Sequence, residues 1–211
     1  MTVLAEYRNR YVPVKYFLNS YRAYSDGRNG IDHLEKYLAT ENILVSDWKV
    51  IWIGTCTLLR SSIDLFKVDS NSCINEDIRN SLKFEWSQIK RDKDVHPIFW
   101  EFLQKERNNI IHEYQWAAYE QWLSDDGNYH PPKISLLSSK PEDMQSVLIM
   151  RKGHYKGRNS LDLLKESADW VEERISNSIK RAGFNPNEVR RLGDFSKPSS
   201  TSSGILGPLS E

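Results

Sequence analysis

The chain has little cysteine, no excess of charge of either sign and no long apolar run. Only two of its 211 residues are cysteine, Cys56 and Cys73, which excludes a disulfide framework and favours a reducing compartment. Basic and acidic residues number 29 each, which excludes a protein that coats nucleic acid by bulk charge but allows a local basic patch. No stretch reaches the ~20 apolar residues of a membrane span, and the N-terminus lacks an apolar signal core. We therefore expect a cytoplasmic protein with no membrane partner.

Short motifs of nucleotide and metal chemistry are also missing. The sequence contains no Walker phosphate loop, no G-x-G-x-x-G, no H-E-x-x-H and no G-x-S-x-G. Its histidines are scattered without the spacing of metal ligands, so we expect neither a metal site nor a bound cofactor.

What the chain does have is helical periodicity, because apolar residues repeat at intervals of three and four over four stretches. These stretches follow the N-cap pair Ser46-Asp47, span Ile78–Ile89, extend from Pro97 to Leu123, and run from the expected cap Ser160 to a stop at Gly183. Short connections between such stretches are typical of antiparallel packing. The predicted fold is therefore mainly α, an antiparallel helical bundle.

The N-terminal part is predicted to be less regular. Residues 1–30 form a Tyr- and Arg-rich extension, in which Asp26-Gly27 and Asn29-Gly30 indicate turns, and a short helix is expected over residues 31–40. The polar segment Asp69–Asn75 is expected to be a loop between two helices.

A small β-hairpin insertion is predicted at about residues 129–158. The turn Asp125–Asn128 is expected to end the third helix, and short apolar runs at Ile134–Leu137 and Val147–Met150 predict the two strands. The helical domain, including this insertion, then covers residues 31–185. Residues 194–211 are rich in Ser, Gly and Pro and are predicted to be a disordered tail.

The third helical stretch carries a group of polar residues in apolar surroundings: Arg107, Asn108, His112 and Tyr114. Cores rarely accept Arg and His unless a partner pairs them or a site uses them. At about 100° per residue, Arg107 and His112 point roughly 140° apart, so one regular helix holds them poorly around a small ligand. An RNA strand lying along the helix, or a second copy of the helix, would bring both to one site.

These four residues form the pattern R-N-x-x-x-H-x-Y, which resembles the signature of the HEPN family. The resemblance covers roughly residues 46–123 and the last helix, and the family fold is an antiparallel helical bundle. It implies a metal-independent endoribonuclease that acts as a toxin or defence effector and works as a homodimer on RNA. In one gene arrangement it also implies a nucleotidyltransferase-type antitoxin as a partner, with Tyr114 as the residue that is modified.

The side chains suit this chemistry. RNA cleavage needs a base for the 2′-hydroxyl, and histidine as a residue type titrates near pH ~6.5, so His112 is the predicted base. Arg107 would bind phosphate oxygens and stabilise the charge of the phosphorane. Asn108 would orient His112 or bond a phosphate, and Tyr114 would hold Arg107 or touch the strand. The products would carry a 2′,3′-cyclic phosphate and a 5′-hydroxyl.

Two further groups of charged residues are candidates. A basic run with one aromatic residue consists of Arg151, Lys152, Tyr155, Lys156 and Arg158. It suits a phosphate backbone with one stacked base, and the alternative is a solvated hairpin edge protected by charge. Arg60 and Asp64 have the spacing of an i,i+4 salt bridge, or else face the motif helix and orient His112.

Two other interpretations of the motif stay open. A non-catalytic HEPN module would use it to bind nucleotide, RNA or a protein partner. An unrelated helical protein would use it for packing, with Arg107 paired to a carboxylate and His112 bonded to a backbone carbonyl. The candidate carboxylates are Glu101, Glu106 and Asp64.

Overall fold

The computed structural model describes residues 13–40, 47–73, 75–131, 141, 143–188 and 190–191. This part of the chain forms five main helices and two small antiparallel sheets. The helices are α1 (Asn19–Leu38), α2 (Asp47–Ser72), α3 (Glu76–Arg91), α4 (the consecutive segments Ile98–Leu103, Gln104–Asn108 and Asn109–Glu113) and α5 (Ser160–Arg181). Strand β1 (Pro13–Val14) pairs with β5 (Arg190–Arg191), and β2 (Ala118–Ser124) lies between β3 (Tyr129–His130) and β4 (Met144–Met150). The predicted mainly α fold with a small β insertion is confirmed.

The helices enclose one apolar core. Its largest fully buried side chains are Trp52, Phe66, Phe99 and Phe102, contributed by α2 and α4. Burying a side chain of this kind stabilises a fold by roughly 1.5–3 kcal/mol. The Trp52 indole N–H keeps a partner in this core, because it donates to Ser160 Oγ at 2.6 Å and so ties α2 to the start of α5.

Helix α1 runs through both predicted turns, so the turns at Asp26-Gly27 and Asn29-Gly30 were wrong. The helix expected over residues 31–40 is present as the C-terminal part of α1, which ends at Leu38. The boundary expected at residue 30 falls inside this helix. A Cβ at Gly27 would lie 2.7 Å from Leu59 Cδ2, and one at Gly30 would lie 2.3 Å from Thr55 Oγ1. The glycines therefore serve close approach between α1 and α2, and tertiary packing overrides their low helix propensity.

The predicted loop Asp69–Asn75 is mostly helix, because α2 continues to Ser72. Asp69 is buried and accepts hydrogen bonds from the backbone N–H groups of Asn19 at 2.9 Å and Ser20 at 2.8 Å. These are among the first amides of α1, which have no partner inside their own helix. The carboxylate therefore caps α1 from a neighbouring helix, a role that local sequence does not indicate.

The other helix ends are close to the expected positions. Helix α4 begins directly after Pro97, and α5 ends just before Gly183, whose φ is +82°. The predicted cap Ser160 was wrong by one residue, since Asn159 Oδ1 accepts the Leu161 N–H at 2.8 Å.

The motif helix is shorter than predicted, and this is the main correction to the fold. It ends at Glu113 instead of Leu123, and the residues after it form β2. The Asp125–Asn128 turn accordingly joins β2 to β3. The strand predicted at Val147–Met150 is confirmed within β4, but β4 pairs with β2. The other predicted strand, Ile134–Leu137, and the tail 194–211 lie outside the described residues.

The close contact of α1 with α2 gives a direct stability test. Gly30→Ala should lower the free energy of unfolding by about 1–3 kcal/mol, because the new methyl group overlaps the buried Thr55 side chain. Gly54→Ala is the matched control within α2, where a Cβ meets nothing within 4 Å. It should raise stability by roughly 0.5–1 kcal/mol through helix propensity alone. Urea unfolding of both variants checks this, and a Gly30→Ala chain as stable as wild type would contradict the packing argument.

Candidate functional site

The motif lies on an irregular end of α4. Its last segment, Asn109–Glu113, is a π-helix, and the Tyr114 N–H bonds back to the Asn109 carbonyl five residues earlier. Residues five apart lie closer to one line in a π turn than in an α-helix. Arg107 and His112 are five residues apart. Arg107 lies two residues before the π segment, and His112 lies within it. Their separation around the axis is therefore smaller than the roughly 140° expected of regular α geometry.

Neither Arg107 nor His112 has the partner that a packing role would give it. Arg107 is half-buried, and its Nη1 donates to Asn108 Oδ1 at 3.2 Å. Within the described residues it forms no ion pair, so it is not paired with Glu101, Glu106 or Asp64, the carboxylates that the packing interpretation named. His112 is exposed and makes no hydrogen bond in the described part of the chain. The interpretation of His112 as a satisfied core histidine was therefore wrong as well, and Asn108 does not orient it.

Tyr114 lies at the exposed end of α4. It follows the helix in a left-handed conformation with φ +51°, and it is 69% exposed. Its ring lies edge-on to Trp116 at 5.8 Å, and the Lys49 ammonium of α2 lies 5.4 Å from its centroid. Tyr114 therefore makes no contact of the predicted kind with Arg107, and Lys49 adds positive charge to this end of α4.

Arg60 faces α4, but not at the predicted residue. It forms the i,i+4 ion pair with Asp64, and its Nε donates to Gln104 Oε1. Its guanidinium also lies 4.7 Å from the Phe99 ring centroid. The pair therefore fixes the middle of α4 against α2 and does not orient His112.

The structure brings the basic run next to the motif helix. The loop after β4 is held by the Arg151 N–H, which donates to the Ala117 carbonyl at 2.9 Å, and by Lys152 Nζ, which donates to Gln115 Oε1 at 3.1 Å. Lys156 is exposed, and Arg158 pairs with Glu166 at 3.0 Å. The run is therefore a loop packed on the end of α4 and not a free hairpin edge.

Tyr155 differs from its predicted role as a stacking platform. It is only 8% exposed, and its ring packs edge-on against Phe102 at 6.1 Å. A buried ring of this kind belongs to the core and cannot serve as an exposed stacking platform.

Glu106 is a site residue that the sequence indicated only as a candidate partner of Arg107. It is 5% exposed, and its Oε2 accepts the Ala117 N–H at 3.0 Å. Burial raises the pKa of the Glu106 carboxyl, while the Ala117 N–H and the nearby Lys152 ammonium oppose that shift. The sequence did contain an indication of its burial. Glu106 follows Phe99 and Leu103 and precedes Ile110 at helical spacings of three and four, and all four side chains are buried.

A cleft of about 150 Å³ opens between α4 and the basic loop. Glu106 and Asn109 line it from the helix, and Lys152, His154 and Tyr155 line it from the loop. A larger cavity of about 370 Å³ lies between α1 and β4, away from the motif. Among the described residues no three His, Cys, Asp or Glu side chains converge as metal ligands, and no described helix could cross a bilayer.

Comparison with known proteins adds no identification. No protein-family model matches the chain, and neither curated proteins nor solved structures give a significant match.

The buried carboxyl of Glu106 gives a pH-dependent prediction. The pKa of Glu106 is raised in the folded state, so over a range of pH the folded chain keeps a proton that the unfolded chain has released. The free energy of unfolding therefore falls as pH rises through that range. Glu106→Gln keeps an oxygen for the Ala117 N–H but cannot ionise. Its stability relative to wild type should therefore increase from pH 4 towards neutral pH.

Urea unfolding of both chains across this range measures the difference. A stability difference that is independent of pH would show that Glu106 has an ordinary pKa. Asp32→Asn is the control, since Asp32 is an exposed carboxylate in the interior of α1.

Proposed function

We propose that the chain is a metal-independent endoribonuclease of HEPN type that acts as a toxin or defence effector. The observation that carries the proposal is the state of Arg107 and His112. Both lie on the last turns of one helix, neither is paired with a carboxylate within the described residues, and His112 is open to solvent. A packing role would require a carboxylate or carbonyl partner, and among the described residues Arg107 bonds only the Asn108 side chain and His112 bonds none.

The mechanism uses the chain's own side chains. His112 removes the proton from a ribose 2′-hydroxyl, and the resulting oxygen attacks the adjacent phosphorus. Arg107 binds the non-bridging oxygens and stabilises the added negative charge of the phosphorane. The bond to the 5′-oxygen then breaks, and that oxygen takes a proton. The products are a 2′,3′-cyclic phosphate and a 5′-hydroxyl.

Nearby charge supports an RNA substrate. Lys49 lies beside Tyr114 at the helix end, and Lys152, which shares its loop with Arg151 and Lys156, bonds the Gln115 side chain. Ammonium and guanidinium groups along a strand's path release counterions from its phosphates and so supply affinity. The zero net charge of the whole chain is compatible with this, because the basic groups are local.

We propose a homodimer in which both copies of the motif face one cleft. Ile111 is 51% exposed and Tyr114 is 69% exposed, and Val50, which follows Lys49 in α2, is 68% exposed. Exposed apolar side chains of this size indicate an interaction surface where they form one patch. A two-fold contact is self-complementary, so each copy would cover this patch and add its own Arg107 and His112.

The exposure of Tyr114 also suits the proposed antitoxin. A nucleotidyltransferase partner would need to reach the Tyr114 ring, which projects from the end of α4. Modification there would add bulk and charge beside Arg107 and His112 and so block the substrate.

The catalytic prediction is tested with single substitutions. His112→Ala should lower the rate of RNA cleavage by about 10²–10⁴-fold through loss of the base. Arg107→Ala should lower it by a comparable ~10²–10³-fold through loss of the stabilising charge. The double variant should be no slower than the slower single variant, because the pair acts as a unit. EDTA should have no effect on the wild-type rate.

The exposed residues His33 and Arg22 provide controls on another helix, and His33→Ala and Arg22→Ala should leave cleavage and growth arrest unchanged. If the wild type leaves single-stranded and structured RNA intact, the enzyme proposal fails and a non-catalytic binding module takes its place. If His112→Ala cleaves as fast as wild type, the site is wrong.

The dimer prediction concerns Ile111. Ile111→Asp should leave the fold intact, since the side chain is exposed, but should turn a dimer at micromolar concentration into a monomer and reduce cleavage. Val95→Asp is the control, because Val95 is 73% exposed on the turn before α4. Sedimentation velocity measures the association state, and a monomeric wild type would rule out the shared cleft.

A further inference from the structure

The cleft beside Glu106 has properties that the proposed cleavage chemistry does not use. It lies between α4 and the loop that follows β4, and one of its lining residues, Asn109, is two residues from Arg107 and three from His112. Its volume of about 150 Å³ is below the ~300–1,000 Å³ of pockets for drug-sized molecules, so it suits one small flat group.

The inner wall of the cleft carries an unfilled acceptor. Glu106 is 95% buried, and Oε2 is engaged by the Ala117 N–H at 3.0 Å. Oε1 has no hydrogen-bond partner among the described residues, although the carboxylate lines the cleft. Oε1 is not closed off from solvent, so it is open to the cleft, and a ligand that donates N–H groups can reach it there.

Besides Glu106, the cleft is lined by the side chains of Asn109, Lys105 and Lys152, which can donate, and by the Glu101 carboxylate and the His154 imidazole. The Asn109 side-chain amide makes no hydrogen bond within the described residues and can donate from its NH₂ group. The ammonium groups of Lys105 and Lys152 lie at the cleft, Lys105 in an ion pair with Glu101 and Lys152 bonded to Gln115. Met150 and Tyr155 supply apolar surface. The cleft therefore matches a flat ring with adjacent N–H donors and a neighbouring acceptor, attached to an anionic group.

Among the nucleobases this combination belongs to guanine. Its Watson–Crick edge presents the donors N1–H and N2–H next to the acceptor O6, and unpaired bases in RNA are read on this edge. Adenine presents one amino donor beside an acceptor nitrogen, which a carboxylate repels. Cytosine has a single amino donor, and uracil has a single imino donor between two acceptors.

We propose that this cleft binds the base of an unpaired guanine nucleotide, with Glu106 accepting from N1–H and N2–H, Asn109 donating to O6, and the two lysines facing the phosphate. The inference rests on the proposed function only in that RNA supplies the nucleotide. It would make Glu106 the residue that selects where RNA is cut, and it would make the cleft a specificity subsite beside Arg107 and His112.

The binding test uses 5′-monophosphates with the full chain, so that no cleavage is needed. Calorimetric titration should give the tightest dissociation constant for GMP, weaker binding of IMP, which lacks the 2-amino group, and at least about tenfold weaker binding of AMP and CMP. Equal affinities for the four nucleotides, or a preference for CMP, would overturn the proposal.

Three variants locate the contacts. Glu106→Gln should reduce GMP affinity to the level of AMP, and circular dichroism shows whether it remains folded. Lys152→Ala should weaken all four nucleotides by a similar factor without changing their order, which tests the cleft independently of Glu106. Glu76→Gln removes the same charge at a distant exposed position and should change nothing. A Glu106→Gln chain that still prefers GMP would refute the role of this carboxylate.

Cleavage mapping separates this inference from the proposed function. On a single-stranded RNA with one guanine among A, C and U, the wild type should cut at a phosphate adjoining the guanine, and Glu106→Gln should cut without that preference. Cutting without guanine preference, together with no GMP selectivity, refutes the subsite and leaves the ribonuclease proposal standing. GMP selectivity in a chain that cuts no RNA refutes the ribonuclease proposal and leaves the subsite standing.

Discussion

The candidate site depends on how Ala117 is held directly after the motif helix. Its N–H donates to the buried carboxylate of Glu106 at 3.0 Å, and its carbonyl accepts the Arg151 N–H at 2.9 Å. One residue thus joins α4, the start of β2 and the loop that leaves β4. Because buried backbone groups must be paired, this arrangement fixes the basic loop against the motif helix, and without it the lysines would have no defined position relative to Arg107.

The irregular end of α4 has a chemical consequence. A regular α-helix spreads residues five apart around its axis, whereas the π segment Asn109–Glu113 reduces the angle between Arg107 and His112. The left-handed conformation of Tyr114 then ends the helix without a glycine. Non-glycine residues in this conformation are uncommon, and such strain persists where the surrounding structure requires it. Here the same turn exposes Tyr114 and directs the chain into β2.

Periodicity was a good guide where one face of a helix is apolar and its ends carry Pro, Asn or Gly, as in α3, α5 and the start of α4. It failed where two patterns overlap. Trp116, Tyr119 and Trp122 recur at steps of three, yet Ala118 and Trp122 are the buried residues of β2, the central strand of the three-stranded sheet. It failed again at Gly27 and Gly30, because a glycine that admits a neighbouring helix and a glycine in a turn look the same in a sequence.

The sequence by itself determined the mainly α class, the motif residues and the basic run, because periodicity and local spacing are encoded in consecutive residues. The tertiary structure alone decided which charged groups are already paired. It paired Arg60 with Asp64 and Gln104 and buried Tyr155. Among the described residues it left Arg107 without a carboxylate and gave only one oxygen of Glu106, in the cleft, a hydrogen-bond partner. Burial and pairing depend on groups distant in the chain, such as Ala117 and the loop after β4, and no local pattern specifies them.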